Sequence, residues 1–251
     1  MTGDPVTASP IESRNLPRTI RIERRFCGPP ISGNGGYVCG RLARYTAASA
    51  LVRLEVPPPL DDDMEVRESG SSVELVHGTA VVARARPAVM SLDIPAAPSF
   101  ADAEAAAQSY RGFRAHPFPT CFVCGPERAA GDGLRIFAGP LRAGVVACPW
   151  VPDASLGDGK GRVRTEIVWS ALDCPGAFSF EFPEKAAVLL GEFGASLRGA
   201  VTIGERYIVL GWELARDERR HFTGTALFSE SGECRACARA TWFEMPAASH
   251  G

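Results

Sequence analysis

The sequence lacks a surplus of charge of either sign and lacks any long apolar run. Its 251 residues contain 27 lysines and arginines against 29 aspartates and glutamates, a formal net charge of −2. Because no basic field forms, we expect no binding to nucleic acid or to an anionic membrane. No stretch approaches the ~18 consecutive apolar residues of a membrane helix, and no basic region with an apolar core opens the chain. We therefore expect a cytoplasmic protein.

The signature motifs of several enzyme classes are also missing. The sequence has no GxGxxG after a strand, no GxxxxGK[ST], no HExxH and no GxSxG. These patterns are typical of dinucleotide binding, phosphate binding, zinc peptidases and serine hydrolases, respectively. The four histidines, at positions 77, 116, 221 and 250, have no metal-ligand spacing to one another. We therefore expect neither a doubly wound nucleotide-binding enzyme nor a Ser-His-Asp hydrolase.

The order of predicted elements is the same in both halves of the chain. The 26 glycines and 20 prolines imply many turns, and each half shows a single helix followed by antiparallel strands. Strands are predicted at 19–23, 50–56, 64–68, 72–76, 79–85, 133–137, 144–148, 187–190, 195–201, 206–213, 221–229 and 234–243, and helices at 34–45 and 165–173, with a short one at 100–108. This repetition predicts an α+β chain of two pseudo-equivalent halves.

The predicted domain limits follow from composition. A polar tail (1–17) precedes a first half (18–90), a linker rich in proline and alanine (91–119), a second half (120–246) and a short tail (247–251).

The helix of the first half is unusually rich in glycine. Asn34 is a suitable N-cap, and Gly36 and Gly40 follow four residues apart on one face. Glycine inside a helix costs about 1 kcal/mol relative to alanine. We therefore expect this face to lie against another backbone.

Four of the eight cysteines have a spacing that suggests a zinc site. Cys121 and Cys124 form one CxxC pair, and Cys234 and Cys237 form another. The second pair lies in a predicted strand, where residues three apart face opposite sides, and the first pair needs further ligands. We therefore expect buried free thiols and no bound metal. A zinc-stabilised interaction module remains an alternative.

Three segments resemble hotdog-fold acyl-CoA thioesterases. Residues 121–126 (CFVCGP) with 133–137 (GLRIF) resemble the entry into many such domains, which carries no metal there. Residues 33–37 (GNGGY) resemble the turn that opens the hotdog helix, with Asn34 where the family usually has histidine. Residues 168–173 (VWSALD) resemble the helix that ends in the family's catalytic acid. The resemblance implies a double hotdog, two antiparallel sheets that each wrap a central helix within one chain.

The resemblance also implies a site shared between the halves. The glycine turn of one half would face the acid of the other, which places Gly35 and Gly36 opposite Asp173, with Asn34 beside them. Helix N-terminal amides suit a carbonyl oxygen that becomes an oxyanion, and a carboxylate can activate water. The acyl chain would then lie between the two central helices.

The reciprocal pairing lacks its acid. The family's acid follows its histidine by nine residues, and nine residues beyond Asn34 is Ala43, which has no acidic group. Counting back nine from Asp173 gives Arg164, followed by threonine and glutamate instead of two glycines. We therefore expect one competent and one degenerate site.

Further residues are assigned to substrate binding. Thr165 is a possible cap of the second helix and Glu166 lies in its first turn, while Arg164 and Lys160 suit the phosphates of coenzyme A. The full set of expected substrate-binding residues is Tyr37, Lys160, Arg164, Thr165 and Glu166.

The implied function is hydrolysis of an acyl-CoA or acyl-carrier-protein thioester. No cofactor is expected, because coenzyme A enters only as part of the substrate, and the double hotdogs are expected to form a homodimer. A non-catalytic hotdog protein that binds an acyl group or small ligand and a hotdog hydratase or dehydratase stay open, since a fold does not fix a function.

Overall fold

The structure is a computed structural model that describes residues 16–46, 49–181 and 187–245. Nearly all of the first predicted tail and the whole of the second lie outside the described residues. The strands are β1 (Thr19–Arg21), β2 (Ser49–Leu54), β3 (Asp63–Ser69), β4 (Ser72–His77), β5 (Ala80–Pro87), β6 (Gly139–Arg142), β7 (Val145–Trp150), β8 (Val188–Leu197), β9 (Tyr207–Asp217), β10 (Arg220–Ser229) and β11 (Cys234–Glu244). The helices are α1 (Gly35–Ala43), α2 (Phe100–Ala107), α3 (Thr165–Ala171) and α4 (Cys174–Phe178).

All these strands form one antiparallel sheet. Its order is β1-β3-β4-β5-β2-β8-β11-β10-β9-β7-β6, so the strands of the first half lie on one side of the β2–β8 pair and those of the second half on the other. At this junction Ala50 pairs with Ala195 and Val52 with Phe193, and all four are fully buried. The α+β class and the continuous antiparallel sheet are thereby confirmed.

Helices α1 and α3 pack with their backbones in close contact. A Cβ added to Gly40 would lie 2.7 Å from the Glu166 Cα, and one added to Gly36 would lie 2.6 Å from the Asp173 Cβ. Any side chain at either glycine would therefore force the helices apart. The predicted close approach of the glycine face is confirmed.

The predicted helix at 165–173 is divided in two. Helix α3 ends at Ala171, and α4 begins at Cys174 with Pro175 in its first turn. Proline cannot donate the hydrogen bond that would continue α3, but it is well suited to the start of a new helix. Asp173 lies at the break with a non-helical backbone (φ −75°, ψ −82°). The suggested Thr165 cap is wrong, because Arg164 occupies the N-cap position and provides no side-chain cap.

Two strand predictions in the second half are also wrong. Residues 133–137 form a loop in which Arg135 has a φ of +54°, and the N–H groups of Leu134 and Ile136 donate to the carbonyls of Phe122 and Val123. The opening hairpin therefore uses β6 and β7. The two strands predicted at 187–190 and 195–201 are one continuous strand, β8.

The second cysteine pair does not face opposite sides of its strand. A bulge in β11 lets Cys234 pair with Phe228 and Ala236 with Leu227, which leaves Arg235 as the extra residue. The bulge brings Cys234 and Cys237 to one face, where their thiols hydrogen-bond. The expectation that the two thiols face opposite sides is wrong, because the strand is not regular at this point.

The linker contains the predicted short helix. Helix α2 begins with a capping box between Ser99 and Asp102 and packs against β6 and β7. Among the helices described, none has the length and apolar character needed to cross a membrane.

Candidate functional site

The carboxylate of Asp173 lies at the contact between the two halves. Its side chain is buried, with 2 % of the residue exposed. Oδ2 accepts a hydrogen bond from Asn34 Nδ2 at 2.7 Å and another from the Gly36 backbone N–H at 2.9 Å. The structure therefore brings together Asn34, Gly36 and Asp173, the three residues that the sequence placed opposite one another.

The second carboxylate oxygen is unpartnered. Asp173 Oδ1 is buried and has no hydrogen-bond partner among the described residues. Burial raises the pKa of Asp173 to about 7, against the opposing effect of the Gly36 and Asn34 hydrogen bonds. One oxygen is thus held in place, while the other has no partner within the described part of the chain.

The N-terminal amides of α1 differ in their partners. The Gly36 N–H donates to Asp173 Oδ2, and the Tyr37 N–H donates to Asn34 Oδ1 at 2.9 Å. The Gly35 N–H has no hydrogen-bond partner in the described part of the chain. Of the two glycine amides predicted to polarise a carbonyl, only that of Gly35 is available, because the Gly36 amide orients the acid.

A largely apolar cavity of about 490 Å³ opens beside these groups. Asn34, Gly35 and Asp173 contribute its polar edge. The apolar part of the lining includes Leu54, Pro58, Phe118, Phe178, Leu190 and Trp242. The cavity begins at the N-terminus of α1. Between the two central helices, where the acyl chain is expected, α3 is in contact with the glycine face of α1.

The structure does not bring the expected substrate-binding residues to Asp173. Tyr37 is buried and stacks on Phe26, with ring centroids 4.0 Å apart. Lys160 is exposed in a loop whose backbone is held by Asp158. Neither side chain lines the cavity beside Asp173.

Three further expected residues line a different cavity. Arg164, Thr165 and Glu166 border a polar cavity of about 550 Å³ at the N-terminus of α3, together with Arg44 and Arg162. Within its lining, Arg164 Nε and Glu166 Oε1 form an ion pair at 3.8 Å. Ala43, the residue that the nine-residue count predicts in place of an acid, is buried in α1.

Three cysteines gather next to Asp173. The Sγ atoms of Cys121, Cys124 and Cys174 lie within 4.8 Å of one another, and all three residues are buried. Cys174 directly follows Asp173 and comes from a different segment from the CxxC pair. The sequence analysis missed this third cysteine, since no spacing rule joins residues fifty positions apart.

Solved structures share this architecture. The tesB protein of Mycobacterium avium subspecies paratuberculosis aligns with a TM-score of 0.55 at 13 % identity, over 85 % of this chain and 88 % of that protein. The acyl-CoA thioesterase II TesB2 of Mycobacterium marinum aligns with a TM-score of 0.55 at 13 % identity, over 88 % and 92 %. This chain has the hotdog fold of TesB-type thioesterases.

The overall likeness to solved structures is one of fold rather than of sequence. No family model and no curated protein matches the sequence. At this identity the solved structures establish the fold, and the chemistry has to be argued from the site itself.

Proposed function

We propose that the protein hydrolyses an acyl thioester, with Asp173 as the catalytic acid–base group. The observation that carries the proposal is the carboxylate itself, which is buried, fixed through Oδ2 by two hydrogen bonds, and unpartnered at Oδ1 beside an apolar cavity. A buried carboxylate oxygen without a hydrogen-bond partner is costly for stability. Its presence here favours a role in chemistry.

The proposed reaction uses three groups. Asp173 Oδ1 takes a proton from water as that water attacks the thioester carbonyl carbon. The Gly35 N–H donates to the carbonyl oxygen as it becomes an oxyanion, with the positive end of the α1 dipole behind it. When the tetrahedral intermediate collapses, the C–S bond breaks and the leaving thiolate takes the proton from Asp173. Asn34 and Gly36 act as positioning residues for the carboxylate.

The cavity supports an acyl substrate. Its volume falls within the range of about 300–1,000 Å³ that is usual for small-molecule sites, and its lining suits a hydrocarbon chain. Ile31, Phe243 and Met245 line the same cavity and are 84 %, 43 % and 41 % exposed. These exposed apolar side chains form a rim over which an acyl chain can enter.

The double hotdog belongs to the same proposal. In it, residues 18–90 and 120–246 are two hotdog units joined at the β2–β8 pair, with α1 and α3 as their central helices. The carrier is coenzyme A or an acyl-carrier protein, and no cofactor takes part in the hydrolysis. A cytoplasmic location and a homodimer of such chains also remain predictions.

Thiol release from a panel of acyl-CoA substrates tests the proposal. Asp173→Asn retains an oxygen that can accept from Asn34 and Gly36, so the fold should survive the change. A positioned acid–base group contributes about 10²–10⁴-fold in rate, and kcat should fall by that factor while substrate binding persists. Asp158→Asn, which removes a carboxylate from an exposed loop, is the matched control. Equal kcat for wild type and Asp173→Asn would exclude this role for Asp173.

The same panel separates the alternatives. Tight acyl-CoA binding without thiol release from the wild-type protein would instead indicate a ligand-binding hotdog protein. Addition of water to an enoyl-CoA, with the thioester intact, would indicate a hydratase.

A further inference from the structure

The cysteines beside Asp173 have the arrangement of a metal site rather than of three unrelated core thiols. The Sγ atoms of Cys121 and Cys174 are 3.8 Å apart, and Cys124 Sγ completes a group within 4.8 Å. An ion with tetrahedral geometry and Zn–S bonds of about 2.3 Å holds its sulfurs about 3.8 Å apart. The thiolates of a [4Fe–4S] cluster bind separate iron atoms and therefore lie further apart than these, and one iron of a [2Fe–2S] cluster binds only two of them.

The backbone around the CxxC pair is arranged to support thiolates. The Val123 and Cys124 N–H groups hydrogen-bond to the Cys121 sulfur, and the Gly125 N–H donates to the Cys121 carbonyl at 2.9 Å. A Cβ on Gly125 would lie 2.5 Å from both the Cys121 N and the Pro119 carbonyl oxygen. The turn therefore requires glycine directly after the second cysteine.

His116 lies next to this group and contacts one of its sulfurs. Its Nε2 is 3.3 Å from Cys124 Sγ, while its Nδ1 accepts a hydrogen bond from the Phe118 N–H at 2.9 Å. Because Nδ1 is an acceptor, the neutral ring carries its proton on Nε2. His116 therefore donates to the Cys124 sulfur and is not itself in the state of a metal ligand.

We propose that Cys121, Cys124 and Cys174 bind one Zn²⁺ ion as thiolates. Each thiol releases its proton to solvent when the ion binds, so three protons leave and three Zn–S bonds form. All three cysteines line the cavity described above, and the fourth coordination position faces that cavity and is filled by water. The proposal departs from the metal-free protein that the sequence predicts.

The ion would join two separate segments of the chain. Cys121 and Cys124 belong to the segment that follows the linker, whereas Cys174 begins α4. The ion thereby fixes the start of α4 immediately after Asp173. The inference does not depend on thioester hydrolysis, since the same ligands would bind zinc in a non-catalytic protein.

Metal content of the untagged, full-length protein is the first test. The protein is expressed with added zinc, purified without chelators and analysed by plasma mass spectrometry, and about one zinc ion per chain is expected. Cys121→Ser and Cys174→Ser should each reduce bound zinc at least about ten-fold. Cys148→Ser should retain it, because Cys148 is a buried thiol in β7 outside the group.

Zinc-edge X-ray absorption of the wild-type protein tests the ligands without any variant. Three sulfurs at about 2.3 Å and one oxygen are expected. Loss of zinc from the wild type on gel filtration, to below about a tenth of an equivalent, would overturn the proposal. So would a Cys121–Cys174 disulfide in the intact mass, or bound zinc with fewer than three sulfur ligands.

His116 provides an independent measurement. Loss of a group that orients a metal ligand costs about 10–100-fold in metal affinity, and we expect this loss for His116→Ala in competition with a chromophoric chelator. His116→Gln places an N–H donor at similar reach and should recover part of the affinity. A nitrogen ligand in the wild-type spectrum that disappears in His116→Ala would overturn the assignment of the fourth position to water.

Discussion

The Gly36 N–H donates to Oδ2 of Asp173 over 2.9 Å, and this hydrogen bond crosses from one half of the chain to the other. It is possible because residue 36 has no side chain, since a Cβ there would lie 2.6 Å from the Cβ of Asp173. The same absence of a side chain thus permits both the helix contact and the orientation of the acid.

Substitution of this glycine should affect stability and catalysis together. Gly36→Ala adds a Cβ where α1 already contacts Asp173. Overpacking of this kind costs about 1–3 kcal/mol in the free energy of unfolding. It also displaces the carboxylate, and a displacement of about 1 Å can cost ~10²-fold in rate. Urea unfolding and thiol-release kinetics measure the two effects.

Gly40→Ala is the matched control for that substitution. Its Cβ would meet Glu166 and Trp169 of α3 and not Asp173. It should destabilise the fold by a similar amount and reduce kcat much less. Equal kcat losses in the two variants would show that helix packing alone accounts for the effect of Gly36.

Asn34 has two roles that can be separated. Asn34→Ser keeps an oxygen to cap Tyr37 N–H but removes the amide that donates to Asp173. A hydrogen bond to a charged group contributes about 1.5–3 kcal/mol, so kcat should fall about ten-fold or more as the carboxylate loses its orientation. Asn34→Ala should in addition lose about 1 kcal/mol of stability through loss of the cap. Identical urea midpoints for the two variants would contradict the capping role.

The cavity should select acyl chains by length. Each buried methylene contributes about 0.8 kcal/mol, which is about four-fold in kcat/KM. In a series of saturated acyl-CoAs, kcat/KM should therefore rise with each added methylene until the acyl chain fills the cavity. Leu189→Trp, within the cavity lining, should move this limit to shorter chains. Leu214→Trp, on an exposed strand position, should leave it unchanged.

An acid introduced into the half of the chain that lacks one should not increase the rate of thiol release. Ala43→Asp places a carboxyl at a position that is 5 % exposed, in a helix packed on α3. The helix start that would serve it carries Thr165 and Glu166 after Arg164, instead of two glycines. We expect lower stability from the buried polar group and no increase in thiol release. Increased kcat in Ala43→Asp with Asp173 also replaced by asparagine would contradict the inequality of the two halves.

Local patterns predicted much of the fold. The Asn34 cap, the glycine face of α1 and most of the alternating strands depend on neighbours in sequence, and these are confirmed. The errors arise where tertiary contacts override local preference. Residues 133–137 alternate like a strand, yet they donate their hydrogen bonds to Phe122 and Val123. Strand β8 continues through Gly194 because strands on both sides pair with it.

The site was predictable only in part. Asp173, Asn34 and Gly36 were placed together through the resemblance, and the structure agrees with that placement. The sequence could not predict which of the two glycine N–H groups binds the acid. That choice depends on the exact position of α1 against α3. The third cysteine was also missed, since the break at Pro175 that turns Cys174 toward the CxxC pair depends on tertiary packing.

The β2–β8 junction has a consequence for how the protein behaves on dilution. Asn34 and Gly36 come from one half and Asp173 from the other, but a single polypeptide links them. Their effective concentration is therefore fixed by the chain and does not follow the amount of protein in solution. A site assembled from separate subunits would dissociate at low concentration. This one remains assembled in a single isolated molecule, and its specific activity should be constant down to the lowest concentration that can be assayed.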